Sequence, residues 1–570
     1  MATGSVLVRD ATRWWPSTHG EPALHPVRID VTVGGRTLAV NLGETGFRSV
    51  GLDRGEGRFA LRVNGVNVFC RGAVWTPLDV VGLHETGDSL DAALRSARDA
   101  GMNMLRLSGV MSYATSAFHD ACDRLGILVW QDFMFANMDY PGDDASFAGS
   151  VRAEASQVVD RLQLSPSLAL LCGSTEIQQQ VAMLGLTREH WSSALFEELL
   201  PRVASGALPG VPYVPSTPSG GALPFRVDSG VSHYYGVGAY RRPIEDARRA
   251  RVRFTAECLG FANVPGAQTV EELEADSPSQ PAWKARVPRD RGTSWDFDDI
   301  RDHYVGRLFG VDPHELRMTD VARYLELGRL ATGEAMCGAM TEWRRAGSEC
   351  GGAIVWFLRD LWRGAGWGVV DADGRPKAAY YFLKRTLQPI ALLSTDEGLN
   401  GLAFHVVNDG PRELRARVKL TLYRGEVSVA EGAAAVTVQP HSVAELSADA
   451  ILGRFVDTTY AYRFGPPGHE VAVGILEDAA GAALSRTFHL VDPRPLRGDP
   501  GLQAYAEPVG TGDWLVTAQA TRFARAVAFD VRGYEPDDDF FHIEPGGQRR
   551  VLLRPLPGTS APPSVRLLPL

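Results

Sequence analysis

Between residues 58 and 388, eight short apolar runs alternate with stretches of helix-like spacing, and this alternation constrains the fold more than any other feature. The runs are "NVFCRGAVW", "NMLRLSG", "GILVWQDF", "SLALLCGSTE", "PYVPSTPSG", "VSHYYG", "VRFTAE" and "AIVWFLRD". Continuous apolar strands of this kind suit a parallel sheet buried on both faces. Between many of them lie amphipathic stretches such as "SLDAALRSARDAG" and "ATSAFHDACDRLG", which space apolar residues three and four apart as one face of a helix does. Eight strands separated in this way predict a (β/α)8 TIM barrel. An open doubly wound sheet has less support, because no glycine-rich phosphate loop follows a strand.

The flanks have another texture. Residues 1–48 read as β-like, through "SVLVRD", "ALHPVRIDVTV" and "RTLAVNLG", and from about 389 the chain alternates as in "LRARVKLTLY" and "ARAVAFDVRG". Gly, Asp and Pro turns punctuate these runs. A chain of 570 residues exceeds one ordinary core. The expected domains are a partial β-sandwich at 1–48, a barrel at 49–388, a sandwich at 389–493 and a last one at 494–570, with "LVDPRPLRGDPG" as linker. Three strands in the first segment are too few to close two sheets and leave bare edges. They are expected to lie on the barrel, or to be completed by a companion chain or a second copy.

The net charge of −10 gives no electrostatic reason to expect nucleic acid or an anionic membrane as partner. No apolar run is long enough for a signal peptide or a membrane span. The six cysteines show no CxxC pair or metal-ligand spacing, so a cytoplasmic chain with reduced thiols is expected, without metal or organic cofactor.

A barrel builds its active site at the C-terminal ends of its strands. Those ends carry Trp75, Asp79, Arg106, Gln131, Asp132, Glu176, His233, Tyr235, Glu257, Trp356, Arg359 and Asp360. Aromatic faces stack on the CH faces of sugars while carboxylates and amides take the hydroxyls, so the set suits a β-linked saccharide. Glycoside cleavage needs two carboxyls, one protonating the leaving oxygen and one attacking the anomeric carbon. Glu176 and Glu257, at the ends of the fourth and seventh strands, are the candidates. Each has a plainer reading: Glu176 as an acid favoured at a helix start, Glu257 as an ion-pair partner of Arg253 or Arg106. The tryptophans have one too, as core aromatics, and His233 as a structural histidine.

"NGVNVFCRGAVWTPLD", "NMLRLSG", "LGILVWQDFMFA", "LALLCGSTE", "PYVPSTPSGG", "RFTAECLGF" and "WGVVDADGRPKAAYY" resemble, in order, the β-mannosidase-like branch of glycoside hydrolase family 2. "EPDDDFFHIEPGGQRRV" resembles that family's last β-sandwich. The resemblance implies a retaining exo-β-glycosidase with Glu176 as acid/base and Glu257 as nucleophile, and brings Trp367 into the substrate site. It also implies immunoglobulin-like sandwiches at 1–48 and 389–493, the first incomplete, and no jelly-roll domain before it. Tyr235 stands where related barrels supply a hydroxyl to the nucleophile. The pattern breaks at Thr175, where related enzymes usually place an Asn that bonds the sugar 2-hydroxyl, and at Arg106-Leu107-Ser108 and "WFLRD". The expected alternatives are another β-glycosidase of the family, glucosaminidase- or glucuronidase-like, or an inactive carbohydrate-binding descendant.

Overall fold

The computed structural model describes residues 7–568 other than 84, 86, 192, 274–277, 495–497 and 511. Its first elements form an antiparallel hairpin, β1 (His25–Val33) and β2 (Arg36–Thr45), turned by Gly34 and Gly35 in the left-handed region. Ile29 pairs with Val40 and Val31 with Leu38, so alternation gathers the apolar residues on one face. That face is bare: Ile29, Val31, Val33, Leu38, Val40 and Leu42 are all exposed, Val33 to 74%. The strand expected at "SVLVRD" is not formed over Leu7–Asp10, where Asp10 turns to a φ of 56° and ends any extended run. Ser5 and Val6 lie outside the described residues.

β3 (Val50–Asp53), β4 (Ala60–Val63) and β5 (Val66–Val68) make a small antiparallel sheet. The first expected barrel run is therefore split, and only β6 (Cys70–Val74) joins the parallel sheet. Then come β7 (Met104–Leu107), β8 (Leu128–Asp132), β9 (Leu168–Cys172), β10 (Tyr213–Val214), β11 (Ser232–Tyr234), β12 (Thr255–Cys258) and β13 (Gly352–Val355). They pair in the order β10-β9-β8-β7-β6-β13-β12-β11, every ladder parallel. This is the cyclic order of a (β/α)8 barrel, with β10 and β11 at the seam. β10 is short because Pro212, Pro215 and Pro218 bring no N–H to a ladder. Helices α1 (Gly87–Asp99), α2 (Ser116–Leu125) and α3 (Ala145–Arg161) fill the first connections, and α4 (Ile177–Met183) follows β9.

The chain divides into two compact units. Residues 1–234, 250–258 and 349–361 form the first, which holds all eight parallel strands. The second takes residues 235–249, 259–348 and 362–570. Within it a three-stranded and a four-stranded antiparallel sheet, between Ile390 and Leu490, share a core of Leu392, Phe404, Val418, Leu420 and Leu476. Beyond Gln503, further antiparallel strands enclose Val516, Val527, Phe541, Ile543 and Val551. Among the described residues, no helix is long and apolar enough to cross a membrane.

Candidate active site

Arg106 organises the strand ends. It lies on β7, buried on every side, and its guanidinium reaches β8, β12 and the residues following β9 and β10. One nitrogen donates to Glu257 Oε1 at 2.9 Å and to the Ala256 carbonyl at 3.1 Å, both on β12. The other donates to Asp132 Oδ2 on β8 at 2.7 Å, to Thr217 Oγ1 at 2.6 Å and to Thr175 Oγ1 at 3.2 Å. Burial alone would lower the guanidinium, but the charges of Asp132 and Glu257 outweigh it and raise its pKa. The fork shape of Arg, with several N–H groups in one plane, is what lets a single side chain hold two carboxylates.

Glu176 stands four residues beyond the end of β9. It takes a left-handed φ of 62°, unusual for a residue with a Cβ. The turn is held by its own N–H donating to the Thr217 carbonyl at 2.6 Å and by Gln180 N–H donating back to the Glu176 carbonyl. Although Glu176 is the N-cap of α4, its side chain caps no backbone N–H, so the helix-start reading does not account for its carboxyl. The carboxylate instead meets His233 Nδ1 at 2.8 Å and accepts from Gln179 Nε2 at 3.0 Å. Burial pushes the Glu176 carboxyl up. The hydrogen bond and charge of His233, the charge of Arg106 and the Gln179 amide outweigh that effect and leave it below the usual Glu range.

His233 stands on β11 in register with Glu257 on β12, and its Nδ1 is also 3.4 Å from Glu257 Oε2. One oxygen of each glutamate and one imidazole nitrogen fall within 4.8 Å of one another. Three such donors could meet on a small cation. The Arg106 guanidinium bonded to Glu257 already supplies one positive charge beside them.

Among the other expected residues, Asp132 belongs to this cluster and Thr175 stands behind it. Thr175 donates to Asp132 Oδ2 at 2.7 Å and accepts from Gly109 N–H at 3.0 Å, and it is 2% exposed. A side chain at Gly109 would strike the Phe135 carbonyl, so glycine permits that approach. Trp75 is buried against the Phe118 ring, with centroids 4.9 Å apart, as the core-aromatic reading has it. Gln131 faces away from Arg106: successive strand residues alternate, and it lines a small cavity with Tyr113, His119 and Arg161 on α2, α3 and the loop before them. Asp79 lies on an exposed turn and accepts from Val81 N–H at 2.9 Å. Trp356 and Asp360 follow β13, Asp360 buried. Tyr235 and Trp367 fall in the second unit, where the Trp367 ring meets Phe297 edge-on. Two contributors escaped the sequence reading. Thr217 sits in a Pro-rich stretch with nothing to mark it. Gln179 carried a usable signal, its helical spacing three residues after Glu176.

No family model matches the chain. β-Mannosidase B from Aspergillus clavatus is 27% identical over 609 residues, covering 99% of this chain and 69% of its own length. Among solved structures, the β-D-mannosidase of Dictyoglomus thermophilum superposes with a TM-score of 0.82 at 23% identity, over 99% of this chain and 68% of its own. The exo-chitosanase CsxA of Amycolatopsis orientalis gives 0.74 at 17% identity, over 98% of this chain and 69% of its own. At these identities the structural likenesses are of fold. Joined to the sequence match along nearly the whole chain, they mark it as a glycoside hydrolase, similar to the β-mannosidase-like branch of glycoside hydrolase family 2.

Proposed function

We propose that the chain hydrolyses terminal β-mannosides by retaining double displacement, with Glu176 as acid/base and Glu257 as nucleophile. The observation that carries this is the meeting of oxygens from the two carboxyls within 4.8 Å. Retaining enzymes hold their carboxyls about 5–5.5 Å apart, whereas inverting ones leave about 6.5–9.5 Å for a water. The remaining features agree. Glu257 is 6% exposed at its side chain and tied to a guanidinium, as an attacking carboxylate should be; Glu176 is 20% exposed, open to a leaving group and to water. Asp132 and Thr175 hold Arg106, and through it the nucleophile. The name of the Aspergillus relative supports mannose as the glycone.

A panel of nitrophenyl β-glycosides tests the reading, with Glu176→Ala as its control. The mannoside should turn over fastest. The variant should lose about 10²–10⁴-fold on substrates with poor leaving groups and little on dinitrophenyl mannoside, which departs without a proton. Equal loss on both would remove Glu176 from the acid role.

A second reading has its own observation. The Thr175 hydroxyl is occupied by Asp132, Gly109 and Arg106, so this position offers the sugar 2-position no amide. A β-glycoside differing at that carbon, such as a glucosaminide, is the reading this favours, and faster turnover of that panel member would establish it.

The flanking domains are read as before: sandwiches at 389–493 and 494–570 around a barrel at 49–388, and at 1–48 part of an immunoglobulin-like sandwich. The bare face of β1 and β2 supports a covering sheet from a companion chain or second copy. Val31→Lys should then weaken association in light scattering without altering Tm; a wild-type monomer would remove this reading.

A further inference from the structure

We propose that Gln179 is a positioning residue that, with His233, keeps the acid proton of Glu176 on Oε2, the oxygen left open to the leaving group. This rests on the assignment of Glu176 as acid/base and fixes which of its two oxygens delivers the proton.

Two donors converge on one oxygen. His233 Nδ1 lies 2.8 Å from Glu176 Oε1, and Gln179 Nε2 lies 3.0 Å from the same atom. Nδ1 is the ring nitrogen that carries hydrogen. It faces carboxylate oxygens at 2.8 and 3.4 Å, whereas Nε2 is buried with no hydrogen-bond partner among the described residues. A neutral ring with its one hydrogen on Nδ1 meets both conditions. A carboxyl oxygen offers two lone-pair sites, so the two N–H groups fill Oε1 and leave it nowhere to hold a proton. Oε2 accepts from no described residue, and the side chain keeps 20% of its surface open. The acid proton therefore sits on Oε2.

The local fold makes Gln179 available. Glu176 is the N-cap of α4 and Gln179 its third residue, two positions that ordinarily exchange bonds with each other's backbone N–H groups. The left-handed φ of Glu176 accompanies a carboxyl that caps no backbone N–H, so the Gln179 amide reaches back to the carboxyl itself. His233 approaches from a separate element, β11. A rotation that exchanged Oε1 and Oε2 would break both bonds at once, which holds the carboxyl in one orientation through the cycle. In the first half, the bond to the leaving oxygen breaks as Glu257 bonds to the anomeric carbon, and the proton on Oε2 passes to that oxygen, leaving Glu176 ionised. In the second half, water adds to the anomeric carbon, the bond to Glu257 breaks, and the water proton goes to Oε2. Gln179 and His233 donate throughout and neither gains nor loses a proton.

Gln179→Leu removes one donor. Gln179→Glu, of nearly the same shape, turns it into an acceptor that draws the proton toward Oε1. Both are compared with wild type and Glu176→Ala by kcat/KM at neutral pH on β-mannosides of graded leaving groups, with Tm as the check on folding. On methyl or saccharide leaving groups wild type should be fastest, then Leu, then Glu, the last losing about tenfold or more, while on dinitrophenol each should lose less than about threefold, as impaired acid assistance would. A donor favours the charged carboxyl, so Gln179→Leu should raise the pKa of Glu176 and carry the alkaline limb of the pH profile to higher pH. The charged groups about that carboxyl, Arg106 on β7, Glu257 on β12 and Asp132 on β8, are the same in every variant of Gln179, as is His233 on β11. A Glu variant more active than the Leu variant on methyl mannoside, as a space-filling role would give, or losses equal across leaving groups at unchanged Tm, would overturn the proposal. If the Glu variant fails to fold, the Leu variant decides alone: a loss confined to poor leaving groups supports positioning, and a uniform loss or none overturns it. If Glu176→Ala shows no leaving-group dependence, the assignment of Glu176 fails instead.

Discussion

Glu257→Gln abolishes turnover of every β-mannoside, activated or not, by about 10⁵-fold or more, the scale on which deleting a covalent nucleophile acts. The contrast with Glu176 is the diagnostic part. An acid is dispensable when the leaving group departs unaided, whereas a nucleophile is needed for each substrate because without it no bond forms to the anomeric carbon. Glutamine is the right replacement because its amide oxygen still accepts from Arg106, where alanine would leave that buried guanidinium one partner short. An unchanged Tm then separates lost chemistry from lost structure. In wild type, a 2-fluoro mannosyl donor should leave its label on Glu257. Activity within about tenfold of wild type, or a label on another residue, would end the proposed mechanism.

Arg106→Met costs stability as well as activity. Asp132 is fully buried and Glu257 nearly so, and both take their counter-charge from this guanidinium. Removing one partner of a buried ion pair costs about 3–5 kcal/mol, because the remaining charge keeps its desolvation penalty. Thermal or urea unfolding should show a loss of that size, and hydrolysis should fall with it as Glu257 loses its anchor. Arg106→Lys restores charge without the planar fork and cannot reach Asp132, Thr217 and Glu257 together, so it should recover only part of either quantity. A methionine variant as stable as wild type would mean the network is not what holds the site.

The barrel strands were legible because burial on both faces leaves a continuous apolar run, a signal that survives without any tertiary information. Their ends therefore located Glu176, Glu257, Arg106 and His233. What strand ends do not reveal is side. Gln131 and Asp132 are adjacent, and alternation sends one to the helices and the other to Arg106; choosing between them requires the pleat. Asp79 lies beyond Pro77 on a turn that has already left the strand direction. Thr175 was marked as a departure, but its bond to Asp132 depends on the β8–β9 pairing and could not be read from spacing. The hairpin was foreseen in its strands, though the stretch at Leu7–Asp10 before it forms no strand.

The bonds of Arg106 tie it to residues 26, 69, 111, 150 and 151 positions further along the chain. Closing loops of that span is slow, since their entropy is lost before any contact repays it. Helices and local strand pairs can form while the guanidinium still lacks most of its acceptors. During refolding, far-ultraviolet ellipticity should thus return well before hydrolysis does, and a chain stalled short of residue 257 has no means of assembling the Arg106–Glu257 corner.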